Sequence, residues 1–197
     1  MKIFRLVVAS LFLAALMISS SVSAVDRNYF NGDKTYVSYG GVGMGALGFI
    51  DRSTLTVEKY KPPIYIISVD TFLWNPDFEK GKSVNDLRHK GHCRFKYDYA
   101  NRKMYIYAPK GVQGYKSRYE NHYKTMKIQA DTTIDWSGDW AYIDPHVFYG
   151  EGSQPVKAGE TAFALAYKLK FYGLKGYNGA DFYEAVRGVV GEVKDSI

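Results

Sequence analysis

Apolar and polar residues alternate along the first two thirds of the chain, in short segments that are typical of β-strands. The segments with this period of two cover residues 35–39, 54–60, 64–74, 93–99, 103–107 and 140–144. A short polar turn, Ala100-Asn101-Arg102, separates the fourth segment from the fifth, and the three together predict a β-hairpin. The glycine-rich stretch from Gly40 to Gly48 and the pair Pro62-Pro63 interrupt the alternation and predict turns.

The last third of the chain changes to a helical period. From Gly159 to Tyr172 apolar side chains recur on one helical face, and Gly173 is the residue expected to end this helix. A second helix is predicted from Asn178, whose side chain can cap it, through Val193. Strands followed by two helices predict an α+β domain, in which an antiparallel sheet carries two C-terminal helices packed on one face.

The N-terminus carries the three parts of a secretory signal peptide. Lys2 and Arg5 make its start positive, and an apolar run follows from Leu6 to Ile18. This run is shorter than the roughly 20 helical residues that a hydrocarbon core requires. Small residues come next in Val22-Ser23-Ala24, which suits signal peptidase, so we expect cleavage after Ala24. The alternative is an uncleaved N-terminal membrane helix.

Cleavage would leave residues 25–197, a length typical of a single domain. We expect this domain to be secreted or periplasmic, with no stable membrane insertion once residues 1–24 are removed. The formal net charge is +6, and loss of the two positive charges of Lys2 and Arg5 lowers it to +4. Such a modest balance is a poor match for polyanionic nucleic acid, so we expect no nucleic-acid partner.

Two local motifs suggest a cofactor or a metal ion, and their contexts argue against both. The glycines of Gly43–Gly48 have the spacing of a dinucleotide-binding loop, but a predicted strand follows them where such a loop requires a helix. His89, His92 and Cys93 include zinc-ligating types, but a closed site requires a fourth ligand. We therefore expect no cofactor and no metal, and we interpret Cys93 as a buried, inert thiol.

The sequence contains no recognisable catalytic motif. It lacks a serine on a G-x-S-x-G turn, and the separation of carboxylates such as Asp135, Asp139 and Asp144 cannot be derived from their spacing. We therefore assign no catalytic residue and expect a non-catalytic protein. The alternative is an envelope hydrolase whose site is assembled from dispersed His and Asp residues. A structure that brings His92, His122 or His146 within hydrogen-bond reach of aspartates in one pocket would favour that alternative.

Aromatic residues interleave with basic ones between residues 109 and 142. We predict a ligand-binding surface here, made of Trp136, Trp140, Tyr115, Tyr119 and Tyr123. Aromatic side chains next to lysine and arginine are typical of surfaces that bind another protein or a glycan. The expected partner is therefore an envelope protein or a glycan, and the oligomeric state stays open. The alternative is that the two tryptophans only cover the edge of the core.

Several segments carry a resemblance to other proteins, namely residues 49–53, 59–67, 95–99, 104–105, 158–163 and 165–173. At these positions the chain resembles a group of short secreted proteins of unknown function from bacteria of the Selenomonas and Veillonella kind. The resemblance implies secretion and a shared fold, and it implies no activity. The order strand, Ile50-Asp51-x-Ser53, strand is also similar to the surface-adhesin E type of small envelope domain. The leading hypothesis is a non-catalytic envelope or surface binding protein.

Overall fold

The computed structural model describes residues 34–43, 45–79, 82, 87, 91–107, 140–146 and 153–196. In chain order, the strands and α-helices within these residues are β1 (Tyr36–Gly43), β2 (Ala46–Lys61), β3 (Ile64–Trp74), α1 (Pro76–Glu79), β4 (Gly91–Asp98), β5 (Lys103–Tyr107), β6 (Trp140–Ile143), α2 (Gln154–Tyr167) and α3 (Glu184–Val190). A 3₁₀ turn, Tyr177–Gly179, lies between α2 and α3. The predicted α+β class is confirmed.

The strands form one antiparallel sheet in which each strand pairs with its neighbour in sequence, from β1 to β6. The pairing of β2 with β3 is irregular between Asp51 and Thr56 and again between Val57 and Lys59. The second irregularity inserts Glu58 without a partner in the register, so β2 bends near its end. β3 and β4 pair without interruption from Ile64 opposite Asp98 to Thr71 opposite Gly91.

The glycine-rich stretch is part of the sheet and not a long turn. β1 and β2 extend through it and are separated by two residues, so the predicted strand ends at residues 39 and 54 are wrong. Gly48 lies beneath the ring of Tyr39, and a Cβ at this glycine would be 2.0 Å from the ring atom Cε2. Glycine is therefore required so that the buried tyrosine can lie flat across β2. The dinucleotide-loop hypothesis fails because Gly43 and Gly48 lie in strands, Gly45 lies in the turn between them, and β2 occupies the place where such a loop requires a helix.

The main core lies between the sheet and α2. Buried side chains alternate along β3, β4, β5 and β6 and meet the helix residues Val156, Ala162 and Phe163. The helix approaches closely at Gly159, where a Cβ would lie 2.3 Å from the sulfur of Met104. A second, smaller cluster lies on the other side of the sheet and contains Phe49, Phe72, Trp74 and Leu87.

Both C-terminal helices form, with boundaries that differ from the predicted ones. α2 begins five residues earlier, with proline in its first turn, and ends at Tyr167 because Lys168 adopts a left-handed conformation with φ of 56°. Gly173 is therefore not its stop. Asn178 lies inside the 3₁₀ turn with φ of 52° and does not cap α3, which begins at Glu184.

A buried carboxylate joins α2 to the segment that follows it. Glu160 is completely buried and accepts hydrogen bonds from the backbone N–H groups of Phe171 and Tyr172 at 2.8 Å and of Gly173 at 3.3 Å. The hydroxyl of Tyr183 donates a further hydrogen bond to it. Burial raises the pKa of Glu160, and these donors oppose the increase by favouring the charged form. The carboxylate thereby holds residues 171–173 against the helix.

Candidate binding face of the sheet

The side of the sheet opposite α2 carries a cluster of aromatic and basic side chains. Successive side chains of a strand point to opposite faces, so the residues that alternate with buried Phe95, Ile106 and Ala141 point away from the core. In β4, β5 and β6 these residues are Arg94, Lys96, Tyr105, Tyr107, Trp140 and Tyr142. We call these six residues the aromatic–basic face, and each of them is half-buried.

The strand register brings the four aromatic rings together in pairs. Tyr105 lies opposite Tyr142, with ring centroids 5.8 Å apart, and Tyr107 lies opposite Trp140, with ring centroids 5.3 Å apart. Both pairs have edge-to-face geometry, which aromatic rings prefer because the positive edge of one ring meets the negative face of the other. The rings therefore have fixed orientations before any ligand arrives.

Two cations from β4 lie over these rings. The guanidinium carbon of Arg94 is 4.9 Å from the centroid of Tyr107 and 5.5 Å from that of Trp140. The ammonium of Lys96 is 4.2 Å from the centroid of Tyr105 and 5.2 Å from that of Trp140. Each distance is within the range of a cation–π interaction, so Trp140 contacts both cations. The tryptophan is the centre of the aromatic–basic face.

A carboxylate from β2 fixes the orientation of the arginine. The Nε of Arg94 donates to both carboxylate oxygens of Glu58, at 2.9 and 3.0 Å, and its Nη2 donates to Oε2 at 2.6 Å. The hydrogen bonds from Arg94 lower the pKa of Glu58, and a hydrogen bond with Ser68 lowers it further. The same pairing raises the pKa of Arg94. Glu58 lies at the second irregularity of β2, and its side chain reaches across β3 to the arginine.

A histidine and an aspartate pair on the same side of the sheet. Asp70 of β3 lies directly opposite His92 of β4, and the distance from His92 Nδ1 to Asp70 Oδ1 is 2.7 Å. The imidazole side chain is 56% exposed. This is the type of contact that the hydrolase alternative requires. His146, in contrast, contacts Asp144 through its backbone N–H, at 2.8 Å.

Cys93 follows His92 in β4 and therefore points to the opposite face. Its thiol lies 3.3 Å from the hydroxyl of Thr71 and packs against the main core, as its place in the alternation predicts, but Cys93 is half-buried where we expected a buried residue. Burial raises the pKa of this thiol, which favours the unreactive protonated form. Because His92 and Cys93 lie on opposite faces, they cannot ligate one metal ion together. No group of three metal-ligating side chains occurs within the described part of the chain.

Sequence reasoning found one residue of the aromatic–basic face. Trp140 lies at its centre, and the other four predicted ligand-binding residues, Trp136, Tyr115, Tyr119 and Tyr123, lie outside the described residues. The five that it missed are Arg94, Lys96, Tyr105, Tyr107 and Tyr142. Their signal was present in the sequence, because they are the outward positions of the predicted hairpin and the last strand. The sequence predicted the pairing of β4 with β5 as a hairpin, but it did not indicate that β6 pairs with β5.

Comparisons with known proteins assign no function to this face. No family model, no curated protein and no solved structure matches the chain. Among the residues that the structure describes, no helix has both the length and the apolar character needed to cross a bilayer. The function must therefore be argued from the geometry of the sheet.

Proposed function

We propose that this protein is an exported, non-catalytic binding protein of the bacterial envelope or surface, and that its aromatic–basic face binds another protein. The signal-peptide pattern of residues 1–24 and the resemblance to short secreted proteins support the location. The position of Trp140 between Arg94 and Lys96, with Tyr107 at its edge, carries the binding role. Tryptophan, tyrosine and arginine are the residue types in which protein-binding energy is concentrated.

The geometry of the face lowers the cost of binding. Arg94 is held by Glu58 on one side and by two rings on the other, so its side chain has little freedom to lose when a partner arrives. Immobilising a flexible side chain at an interface costs about 0.5–1.5 kcal/mol, and an ordered one avoids much of this. A preorganised surface of this kind is expected of a binding site.

The cations favour a protein over a glycan as the partner. Arg94 lies over the face of Tyr107 and Lys96 lies over the face of Tyr105, so each cation covers ring area on which a sugar would stack. Cationic groups and ring edges complement carboxylates and carbonyl oxygens. A partner segment with acidic residues therefore suits this face, and glycan binding is an outcome that the experiment must distinguish.

Site-specific crosslinking tests the proposal. A photoreactive amino acid replaces Tyr107, and in a control protein it replaces Tyr177, which is 71% exposed and lies in the 3₁₀ turn. We expect one envelope protein to crosslink from position 107 and not from position 177. Trp140→Ala should weaken binding of that purified partner about 30-fold or more, since truncation of a central aromatic costs about 2 kcal/mol or more. Equal crosslinking from both positions, or capture of glycans alone, would refute the protein-binding role.

Location requires its own measurement. We expect intact-mass spectrometry of the protein recovered from the envelope or medium of an exporting host to find Val25 as the first residue. Recovery from the cytosol with Met1 still present would contradict export, whatever the crosslinking result.

The contact between His92 and Asp70 favours a second candidate, an envelope hydrolase. The hydrogen bond at Nδ1 would orient the ring and leave Nε2 available as a general base. This role ranks second because the adjacent thiol, Cys93, points to the other face of β4. Hydrolysis of chromogenic ester and peptide substrates should be lost in His92→Gln if the pair is catalytic. Hydrolysis that is unchanged in this variant would remove the candidate.

A further inference from the structure

The turn end of the β2–β3 hairpin carries an exposed aromatic residue between lysines. Lys59, Tyr60, Lys61, Pro62 and Pro63 are all exposed, and we call these five residues the tyrosine–lysine tip. Tyr60 is 68% exposed, which is unusual for a ring in a chain that buries most of its other described aromatics at least partly.

A cluster of tyrosines supports the exposed ring from beneath. The centroid of Tyr60 lies 5.5 Å from that of Tyr65 and 5.9 Å from that of Tyr167. Tyr65 in turn contacts Tyr99, at 6.1 Å, and Tyr167, at 5.2 Å. Burial raises the pKa of Tyr167 to about 12 and also raises that of Tyr65, so these supporting hydroxyls stay neutral near pH 7. Tyr60 therefore projects from a rigid, uncharged base.

Positive charge accumulates at this end of the sheet. The turn between β4 and β5 lies beside the tip, since the N–H of Tyr99 donates to the carbonyl of Pro63 at 2.9 Å, and it brings exposed Lys103 nearby. The end of α2 adds Lys168, also exposed. Among the neighbouring acids, Glu58 is neutralised by its ion pair with Arg94. Asp98 accepts hydrogen bonds from the neutral Asn101, which do not offset its charge, but four lysines outnumber this aspartate.

From this arrangement we infer that the tyrosine–lysine tip docks the protein on an anionic lipid surface. Tyrosine suits the boundary of a bilayer because its ring is apolar and its hydroxyl is polar. Lysine ammonium groups on either side of the ring would meet lipid phosphates, and each basic residue near an anionic bilayer strengthens binding. Exposed residues at the turn end of a hairpin suit a bilayer surface, since such a surface requires no pocket. Lipid docking by the tip is independent of partner binding by the aromatic–basic face.

Vesicle co-sedimentation tests this inference. Protein recovered after export is mixed with vesicles of phosphatidylcholine alone, or of phosphatidylcholine with an equal amount of phosphatidylglycerol. All variants share one N-terminus, so any contribution from it cancels in the comparison. The test variant is Lys59→Gln with Lys61→Gln. The matched control is Lys34→Gln with Arg52→Gln, which removes two exposed positive charges at the other end of the hairpin. Asp51 and Tyr60 lie opposite Asp70 and Tyr65, five residues apart on β3, so this separation is roughly 17 Å at about 3.3 Å per residue.

We expect the unmodified protein to bind the mixed vesicles and not the neutral ones, with binding that falls as salt is added. Partitioning of the tip variant onto the mixed vesicles should fall about 25-fold, because each lysine contributes about five-fold. Partitioning of the control variant should fall less than about two-fold. Tyr60→Ser should also weaken partitioning, while Tyr177→Ser should not. The inference is overturned if the control loses as much as the tip variant, if neutral vesicles bind equally, or if Tyr60→Ser has no effect.

Discussion

Replacing Glu160 by alanine should remove a large part of the stability of this fold. The substitution leaves three backbone N–H groups and the hydroxyl of Tyr183 without the acceptor that now satisfies them. A buried donor without a partner costs about 1–3 kcal/mol, and the Gly173 contact is the longest of the four. Partial rehydration relieves some of this cost, so we expect a loss of about 4 kcal/mol. Domains of this size are stable by about 5–15 kcal/mol.

Urea denaturation followed by circular dichroism measures this loss. Glu192→Ala is the matched control, because Glu192 is exposed and its replacement should change the free energy of unfolding by less than about 0.5 kcal/mol. Glu160→Gln retains one carbonyl oxygen and should cost less than the alanine variant. A loss below about 1 kcal/mol for Glu160→Ala would refute the conclusion that the carboxylate holds the segment after α2.

The pH dependence of stability gives an independent test of the same residue. An ordinary glutamate has a pKa of 4.5, and burial raises the pKa of Glu160 above this value in the folded protein. Between the two values the folded state keeps a proton that the unfolded chain has lost. The free energy of unfolding should therefore fall as the pH rises through this interval. Glu160→Gln should remove this slope, whereas Glu192→Gln should retain it.

Two further substitutions test the sheet. Gly48→Ala should lower the free energy of unfolding by about 1–3 kcal/mol, because the added Cβ collides with the ring of Tyr39. Gly41→Ala should lower it less, since no atom lies within 4 Å of the added Cβ, and equal losses of the two variants in urea denaturation would contradict this explanation. Glu58→Gln should lower the free energy of unfolding by about 0.2–1 kcal/mol. This loss should occur only above the pKa of Glu58 in the folded protein, because Arg94 lowers that pKa below 4.5. The contribution of this ion pair to stability is lost as the pH falls through that pKa. A difference in unfolding free energy between the unmodified protein and Glu58→Gln that grows in acid would refute this prediction.

The strands were predictable because a strand with one buried and one outward face requires apolar and polar residues to alternate along the sequence. The predicted segments at 64–74 and 103–107 coincide with β3 and β5. The helical period of the last third gave both C-terminal helices. The ends of these helices were harder to predict, since Lys168 ends α2 through a left-handed backbone conformation that no residue preference indicates.

The candidate site depended on information that the sequence does not contain. The alternation in β4 indicates that Arg94 and Lys96 point outward, and the predicted hairpin places Tyr107 beside them, but only the pairing of β6 with β5 adds Trp140. The ion pair of Arg94 with Glu58 joins β4 to β2 across β3, and only the strand order brings these residues together.

By itself, the sequence determined the fold class, the face of each strand and the expectation of export, because these follow from local periodicity and residue type. Only the tertiary structure showed which outward residues share one surface, why Gly48 must be glycine and which groups donate hydrogen bonds to Glu160. These features arise from contacts between different strands and helices, such as Tyr39 with Gly48 across a hairpin and Glu160 with Tyr183 between helices. Such contacts produce no repeating pattern of apolar and polar residues from which they could be predicted.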